Sequence, residues 1–244
     1  MAQAHTIDAA DIARFDQVAA TWWDPDGPFK PLHRLNPARL AFLRRTLDQH
    51  FGSTANTLRP LAGKRLLDAG CGGGLIAEPM ARLGAAVTGL DASAEALTVA
   101  RAHAAAQGLA IDYRQGGIED VDGPPFDVIL ALEVIEHVAD PDAFLGHCRK
   151  LLAPGGILIV STLNRTSKSF ALGIVAAEYL LRWLPRGTHD WKKFLKPSEL
   201  AAALRRAGLS LRSQAGLVYN PLTGQWKISD TDLSVNYFAV AVGA

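Results

Sequence analysis

One short segment constrains the fold of this chain more than any other feature. An apolar run at 65–69 leads directly into a glycine-rich stretch at 70–74, and a helical pattern begins near residue 74. Glycine permits positive φ and lets the backbone approach a ligand closely. The free N–H groups at the start of the next helix point into the same space. This order predicts a strand, a ligand-binding turn and a helix, as in the first unit of an open α/β sheet.

The rest of the chain continues this alternation. Short apolar runs alternate with helical segments from Arg65 onward, which is typical of βαβ units and a parallel sheet. The predicted strands are 65–69, 86–90, 111–115, 126–131 and 156–162, with helices near 74–83, 93–107 and 140–152. Helical segments at 168–184 and 197–206 follow, and then strands near 209–218 and 235–242. We therefore expect an α/β, Rossmann-like fold in a single domain, 1–244.

Two segments lie outside the alternating pattern. Residues 1–60, with helices predicted at 8–20 and 37–50, are expected to form an N-terminal helical cap. Residues 165–195 are expected to form a helical insertion, which is a candidate substrate lid or membrane-contact segment. Its apolar part, 170–184, would span about 22 Å as a helix, too short to cross a bilayer. A buried core helix, a lid over an apolar substrate and a helix lying in the membrane surface all fit this pattern.

Composition excludes several classes of protein. The chain has 25 basic and 24 acidic residues, a net charge of +1, so it has no general field for nucleic acid. The two cysteines, Cys71 and Cys148, have neither metal-type spacing nor the number expected of a disulfide scaffold. The N-terminus lacks the basic and apolar blocks of a signal peptide, and no stretch of 18 apolar residues occurs. A cytoplasmic protein is expected.

Two acidic residues indicate what the glycine-rich turn binds. Asp91 ends the second predicted strand, where a carboxylate can hold the hydroxyls of an adenosine ribose. The dinucleotide-binding fingerprint requires Gly at its first and third positions and Gly or Ala at its sixth. Counted from Gly70 the sixth position is Leu75, which does not match, but counted from Gly72 it is Ala77, which does. A nicotinamide or flavin cofactor therefore stays open. Asp68 favours S-adenosylmethionine, because a carboxylate suits the ammonium group of its methionine and would repel a pyrophosphate.

Three further candidates follow the fourth predicted strand. Glu133, Glu136 and His137 come directly after Leu132, at the edge of the sheet where the glycine turn also lies. If the turn after Leu132 is helical, Glu133 and His137 lie on one face. Two carboxylates and an imidazole can hold Mg²⁺ or Zn²⁺ or act as general bases. An ordinary polar helix start, with His137 capping local backbone, is the alternative.

Several outer motifs make the chain resemble a particular family, the ubiquinone-biosynthesis O-methyltransferases. The N-terminal motifs are Trp22-Trp23-Asp24, Phe29-Lys30-Pro31-Leu32-His33-Arg34 and Asn36-Pro37-Ala38-Arg39-Leu40. The later ones are Ser161-Thr162-Leu163-Asn164-Arg165, Gly187-Thr188-His189-Asp190, Lys192-Lys193-Phe194 and Tyr219-Asn220-Pro221. The resemblance covers residues 12–240 and is more specific than the glycine turn, which many methyltransferases share.

The resemblance implies a fold and a set of ligands. It implies a class I S-adenosylmethionine-dependent methyltransferase with a seven-stranded, mostly parallel sheet whose last strand is antiparallel. Positions that match the family's cofactor site are Arg39, Gly70, Asp91 and Leu132, to which the turn adds Asp68 and Gly72. Ala92 and Ile118 stand near the expected adenine edge and are candidate contacts, although the sequence around both departs from the family pattern. Glu133, Glu136 and His137 match positions that hold a divalent metal in the family.

The resemblance also implies a reaction and a location. The expected reactions are two O-methylations of polyprenylated ring intermediates, a catechol-like compound and demethylubiquinol. A metal at the acidic–histidine site would lower the pKa of a phenol that otherwise titrates near 10, and His137 as a metal-free base is the alternative. The segment matching 165–187 implies membrane contact, with 168–184 on the inner face of the membrane, and other ubiquinone-pathway proteins are possible partners. A nicotinamide-dependent oxidoreductase and a non-catalytic lipid- or partner-binding module remain the competing functions.

Overall fold

A computed structural model describes residues 6–7, 9–54, 57–170, 190–220 and 222–244. Its centre is a single sheet. The strands are β1 (Arg65–Ala69), β2 (Ala86–Asp91), β3 (Asp112–Gln115), β4 (Phe126–Leu132), β5 (Leu152–Leu163), β6 (Leu209–Asn220), β7 (Gln225–Ser229) and β8 (Asn236–Gly243). The helices are α1 (Ala9–Asp16), α2 (Lys30–Phe51), α3 (Ala77–Arg82), α4 (Ala94–Ala106), α5 (Pro141–Leu151), α6 (Ser167–Ser169) and α7 (Pro197–Arg206).

The sheet has the order β3-β2-β1-β4-β5-β8-β6-β7. Strands β1 to β5 pair in parallel, and β8 pairs antiparallel to both β5 and β6. The predicted α/β sheet with its antiparallel last strand is therefore confirmed. The predicted number of strands is wrong, because β7 adds an eighth strand through a hairpin with β6. The five residues of β7 are exposed or only partly buried, so the sequence contains no apolar run that would predict this strand.

The order of the strands determines where a ligand can bind. The chain leaves β1 toward β2 and β3 on one side and reaches β4 and β5 on the other, so the topology switches between β1 and β4. In open α/β sheets, the crevice at the carboxyl ends of such neighbouring strands holds the ligand. Buried apolar residues on both faces of the sheet support this edge, with Leu66 and Val128 in one cluster and Leu67 and Ile129 in the other.

Side-chain caps explain where two of the helices begin. The Ser93 hydroxyl accepts a hydrogen bond from the Ala96 N–H and begins α4, and the Asp140 carboxylate caps α5 in the same way. The second helix begins earlier than predicted, at Lys30, and contains Pro37 in its second turn. The first helix ends at Asp16, and a 3₁₀ turn at Ala19–Thr21 replaces the predicted end of 8–20.

The apolar segment of the predicted insertion falls largely outside this description. Residues 171–189 are not among the described residues, so the predicted helix at 168–184 stays a prediction beyond Phe170. Among the helices that the structure describes, none is both long enough and apolar enough to span a membrane.

Candidate functional site

The glycine turn after β1 needs glycine at three positions. Gly70, Gly72 and Gly74 have φ of 73°, 51° and 92°, values that side-chain-bearing residues rarely adopt. A Cβ atom built on Gly70 would lie 2.2 Å from Val134 Cγ2, and one on Gly74 would lie 2.4 Å from the Tyr113 hydroxyl. The turn therefore has its predicted form, with close contacts on both sides.

Asp91, at the end of β2, is tied to this turn. Its Oδ2 accepts a hydrogen bond from the Gly72 N–H at 2.7 Å, and its Oδ1 accepts one from the Ser93 N–H at 2.9 Å. Burial raises the pKa of Asp91, and these backbone donors act against the rise. Each carboxylate oxygen can accept a second hydrogen bond. The side chain thus keeps acceptor capacity for a ribose diol, and that role stays a prediction.

The two candidate adenine contacts lie beside Asp91. Ala92 follows it directly and is partly buried, and its carbonyl accepts a hydrogen bond from the Gln115 side chain at 3.2 Å. Ile118 is buried at the start of a 3₁₀ turn after β3. The Gly116 N–H donates to the Asp91 carbonyl at 3.0 Å, which brings the ends of β2 and β3 together.

Arg39 of α2 and Asp68 of β1 are buried residues of opposite charge that interact electrostatically. Both are among the buried polar residues, and Arg39 Nε and Nη2 and Asp68 Oδ2 lack hydrogen-bond partners in the described part of the chain. Burial raises the pKa of Asp68 to about 7; Arg39 opposes this rise, and Asp91 adds to it. Burial also lowers the pKa of Arg39, against the attraction of Glu133. Unmatched donors and an unmatched acceptor of this kind suit a zwitterionic amino acid.

Glu133 lies at the end of β4 in an unusual backbone conformation. Its φ of 59° is the one positive value among the described non-glycine residues. The Ser161 hydroxyl and the Asn236 amide both donate to Glu133 Oε1 at 2.9 Å, and the Glu133 N–H donates to the Ser161 carbonyl at 3.0 Å. Two neighbouring strands, β5 and β8, therefore hold this carboxylate in one orientation.

Glu136, three residues after Glu133, is buried. Its Oε2 accepts a hydrogen bond from the Thr162 hydroxyl at 2.8 Å, and its Oε1 has no partner within the described ranges. Burial raises the pKa of Glu136 well above its ordinary value, Glu133 adds to the rise, and the Thr162 hydrogen bond opposes it. A carboxyl group with a raised pKa is a stronger base when it is ionised, and Oε1 is the oxygen left to accept a proton.

The three residues proposed to bind a metal do not form a ready site. The segment after Leu132 is a turn rather than a helix, closed by the His137 N–H donating to the Val134 carbonyl at 2.8 Å, so the condition under which Glu133 and His137 would share one helix face is not met. The positive φ of Glu133 breaks the helix at its first residue. No group of three or more His, Cys, Asp or Glu side chains in the described chain is placed to hold a metal ion.

An N-terminal strap, residues 19–29, covers the glycine turn. The Trp22 ring lies against Gly72 and Gly73, and the Trp23 indole N–H donates to the Gly73 carbonyl at 2.9 Å. Trp23 also stacks on His103 of α4, with ring centroids 3.5 Å apart. The strap thus joins the turn to the helix that follows β2.

Several of these residues were not predicted as site residues. Ser161, Thr162 and Asn236 orient the two glutamates, and Trp22 and Trp23 contact the turn. The motifs at 22–24 and 161–165 contain four of the five, so the resemblance carried a signal for them. Asn236 lies 103 residues from Glu133, and nothing in the local sequence links the two.

Comparison with known proteins first defines the class. A family model for the methyltransferase domain matches residues 39–214. The fold also matches magnesium protoporphyrin IX methyltransferase from Synechocystis PCC 6803, solved with bound SAH, with a TM-score of 0.64 and 19% identity over 97% of this chain and 100% of that one. The sheet, the glycine turn and these matches define a class I methyltransferase.

Curated relatives then define the family. The chain is 55% identical to the ubiquinone biosynthesis O-methyltransferase of Azorhizobium caulinodans, over 96% of this chain and 93% of that protein. It is 52% identical to the protein of the same name from Cereibacter sphaeroides, over 99% of each. The chain belongs to the ubiquinone biosynthesis O-methyltransferase family. The nicotinamide-dependent and non-catalytic alternatives find no support among these relatives.

Proposed function

We propose that this chain transfers the methyl group of S-adenosylmethionine to a ring hydroxyl of a polyprenylated phenol or quinol in ubiquinone biosynthesis. The names of its relatives support the pathway and the O-methylated product. One observation carries the chemistry. Arg39 interacts electrostatically both with Asp68 and with Glu136. Arg39 and Asp68 suit an amino acid zwitterion, and Glu136 has an oxygen without a hydrogen-bond partner among the described residues.

The cofactor is expected to lie across the glycine turn. Arg39 would bind its carboxylate, Asp68 its ammonium group and Asp91 its ribose. The turn would approach it through backbone at Gly70 and Gly72, with Ala92, Ile118 and Leu132 as apolar contacts. Leu132 and Ile118 are buried, and Asp68 and Leu132 end neighbouring strands, which supports one continuous site.

The remaining chemistry is alignment and removal of a proton. The sulfonium methyl group is already activated, so the protein must place it against the oxygen of the acceptor. A phenol titrates near 10, so it is mostly protonated at neutral pH. Glu136 is the favoured proton acceptor because its raised pKa brings it closer to that of the phenol. Glu133 orients the acceptor, and His137 is the second candidate base.

A divalent metal at Glu133, Glu136 and His137 stays a prediction of the resemblance. Glu133 Oε1 accepts hydrogen bonds from Ser161 and Asn236, and Glu136 Oε2 accepts one from Thr162. Because no group of three or more His, Cys, Asp or Glu side chains in the described ranges is placed to hold a metal ion, no step of the proposed reaction depends on one.

Turnover with S-adenosylmethionine and a short-chain prenyl catechol, measured after chelation and again with Mg²⁺, tests this proposal. General-base catalysis contributes about 10²–10⁴-fold, so Glu136→Gln should lower kcat by at least about 10²-fold. Affinity for S-adenosylhomocysteine should stay within about twofold, and the exposed Glu95→Gln is the matched control. If Glu136→Gln keeps full activity and His137→Ala loses it, then His137 rather than Glu136 is the base. Absence of any methyl ether from the wild-type protein would reject the substrate.

The substrate's prenyl chain suggests contact between 168–184 and the membrane surface. Phe170, at the edge of the described part of this segment, is 46% exposed, and Lys168 lies beside it. We expect cosedimentation with anionic vesicles that weakens when Phe170, Leu172 and Ile174 are replaced by serine; the last two lie outside the described residues. Unchanged binding of the folded variant would reject this assignment. Association with other ubiquinone-pathway proteins also stays a prediction.

A further inference from the structure

Trp22 has a feature that its contacts with the protein do not explain. A Cβ atom built on Gly72 would lie 2.1 Å from Trp22 Cζ2 and 2.9 Å from Cε2. One built on Gly73 would lie 2.3 Å from Cδ1. The Trp22 ring therefore lies directly against the backbone of the turn at both glycines. The Trp22 indole N–H is buried and has no hydrogen-bond partner among the described residues.

Neighbouring side chains hold the Trp22 ring in place. Phe29 packs on Trp22 with ring centroids 3.9 Å apart, and His33 Nε2 shares a hydrogen bond with the Trp22 carbonyl at 2.9 Å. His33 belongs to α2, the helix that also carries Arg39 and whose Asn36 donates to the Leu75 carbonyl at 3.2 Å. One N-terminal unit therefore carries both an unmatched indole donor, on a ring that lies against the glycine turn, and an unmatched guanidinium, which interacts with Asp68.

We propose that Trp22 is a cofactor-binding residue whose indole N–H donates to the carboxylate of S-adenosylmethionine, together with Arg39. An anionic oxygen satisfies two kinds of donor at once and makes stronger hydrogen bonds than a neutral acceptor. Asp91 already supplies the acceptor that a ribose diol needs. The carboxylate at the amino acid end of the cofactor instead needs hydrogen-bond donors from the protein. The inference deepens the proposed function and rests on its cofactor.

Binding without a methyl acceptor tests this role. Trp22→Phe keeps an aromatic ring over the turn and removes the donor, so the Kd for S-adenosylhomocysteine should rise about tenfold or more. The Kd for 5′-methylthioadenosine, which lacks the amino acid end, should stay within about twofold. Trp226→Phe, in the β6–β7 hairpin, is the matched control and should leave both constants unchanged. Equal affinities of Trp22→Phe and wild type for S-adenosylhomocysteine would overturn the assignment, and equal losses for both ligands would move the donor to the ribose.

A measurement on the wild-type protein guards against a folding defect in the variant. With tryptophan labelled by ¹⁵N, one indole N–H resonance should move downfield on addition of S-adenosylhomocysteine and stay in place with 5′-methylthioadenosine. No such shift in a protein that binds the ligand would overturn the role of Trp22. No binding by the wild-type protein at all would instead reject the proposed function.

Discussion

Asp68→Asn should stabilise the ligand-free protein and weaken cofactor binding. Asp68 is buried with an oxygen that has no partner among the described residues. Burial raises its pKa from 3.8 to about 7; Arg39 opposes the rise, and Asp91 adds to it. Asparagine has nearly the same shape and carries no charge, so it removes the penalty of burying the carboxylate.

The size of the effect follows from the pKa. Because the folded pKa lies above the ordinary one, folding takes up a proton, and stability contributed by this residue is present below pH 4 and is lost as pH rises to about 7. The shift of roughly three units corresponds to about 4 kcal/mol at pH 8, and to about 2 kcal/mol at pH 5, at 1.36 kcal/mol per unit. Asp68→Asn should therefore exceed wild type in stability by these amounts, and the difference should grow with pH.

Urea denaturation between pH 5 and pH 8 measures this difference. Asp122→Asn, whose side chain is 98% exposed, is the matched control and should follow the wild-type curve. Affinity for S-adenosylhomocysteine should fall in Asp68→Asn, because the ammonium group loses its counter-charge. In wild type it should also fall below pH 7, as Asp68 becomes protonated. A stability difference between Asp68→Asn and wild type that does not change with pH would refute the argument.

Substitutions at three other positions, Gly72, Thr162 and Glu133, test separate parts of the site. Gly72→Ala should reduce both stability and cofactor affinity, because its methyl group would collide with Trp22 of the N-terminal strap. Gly52→Ala is the control, because Gly52 also has a positive φ but no atom lies within 4 Å of its Cβ. It should lower the free energy of unfolding in urea by about 1–2 kcal/mol and leave cofactor affinity intact. Thr162→Val removes the hydrogen bond that lowers the pKa of Glu136, so the acidic limb of the kcat profile should move to higher pH; an unmoved limb would contradict Glu136 as the base. Glu133→Gly should be more stable than Glu133→Ala by about 1 kcal/mol, because only glycine relieves the positive φ, and both should be inactive; equal unfolding midpoints would contradict that reasoning.

The sequence predicted the parts of the fold that local patterns specify. Buried parallel strands are continuous apolar runs, so β1, β4 and β5 could be identified within a few residues. The glycine turn was predictable because residues with side chains rarely adopt its φ values. By contrast β7, which lies at the sheet edge and is only partly buried, has no comparable apolar run and was missed.

The orientation of the catalytic candidates depends on distant parts of the chain. A turn at 133–137 could not be distinguished from a helix start, because its geometry is maintained by contacts that Glu133 makes with Ser161 and Asn236. Likewise the burial that raises the pKa of Glu136 comes from packing among several elements, whereas the sequence shows only a glutamate beside a histidine. Residue identities were therefore predictable where their roles were not.

The unmatched buried groups give the strongest argument that these residues form one site. Folded proteins rarely leave buried polar atoms without partners, since each costs about 1–3 kcal/mol. Among the described residues, such atoms occur on ten side chains, and four of these, Trp22, Arg39, Asp68 and Glu136, belong to different elements around the glycine turn and the end of β4. A ligand with an anionic end and a cationic group would satisfy the first three together and thereby stabilise the folded state. The penalty in the free protein and the affinity for the cofactor are then two consequences of the same arrangement.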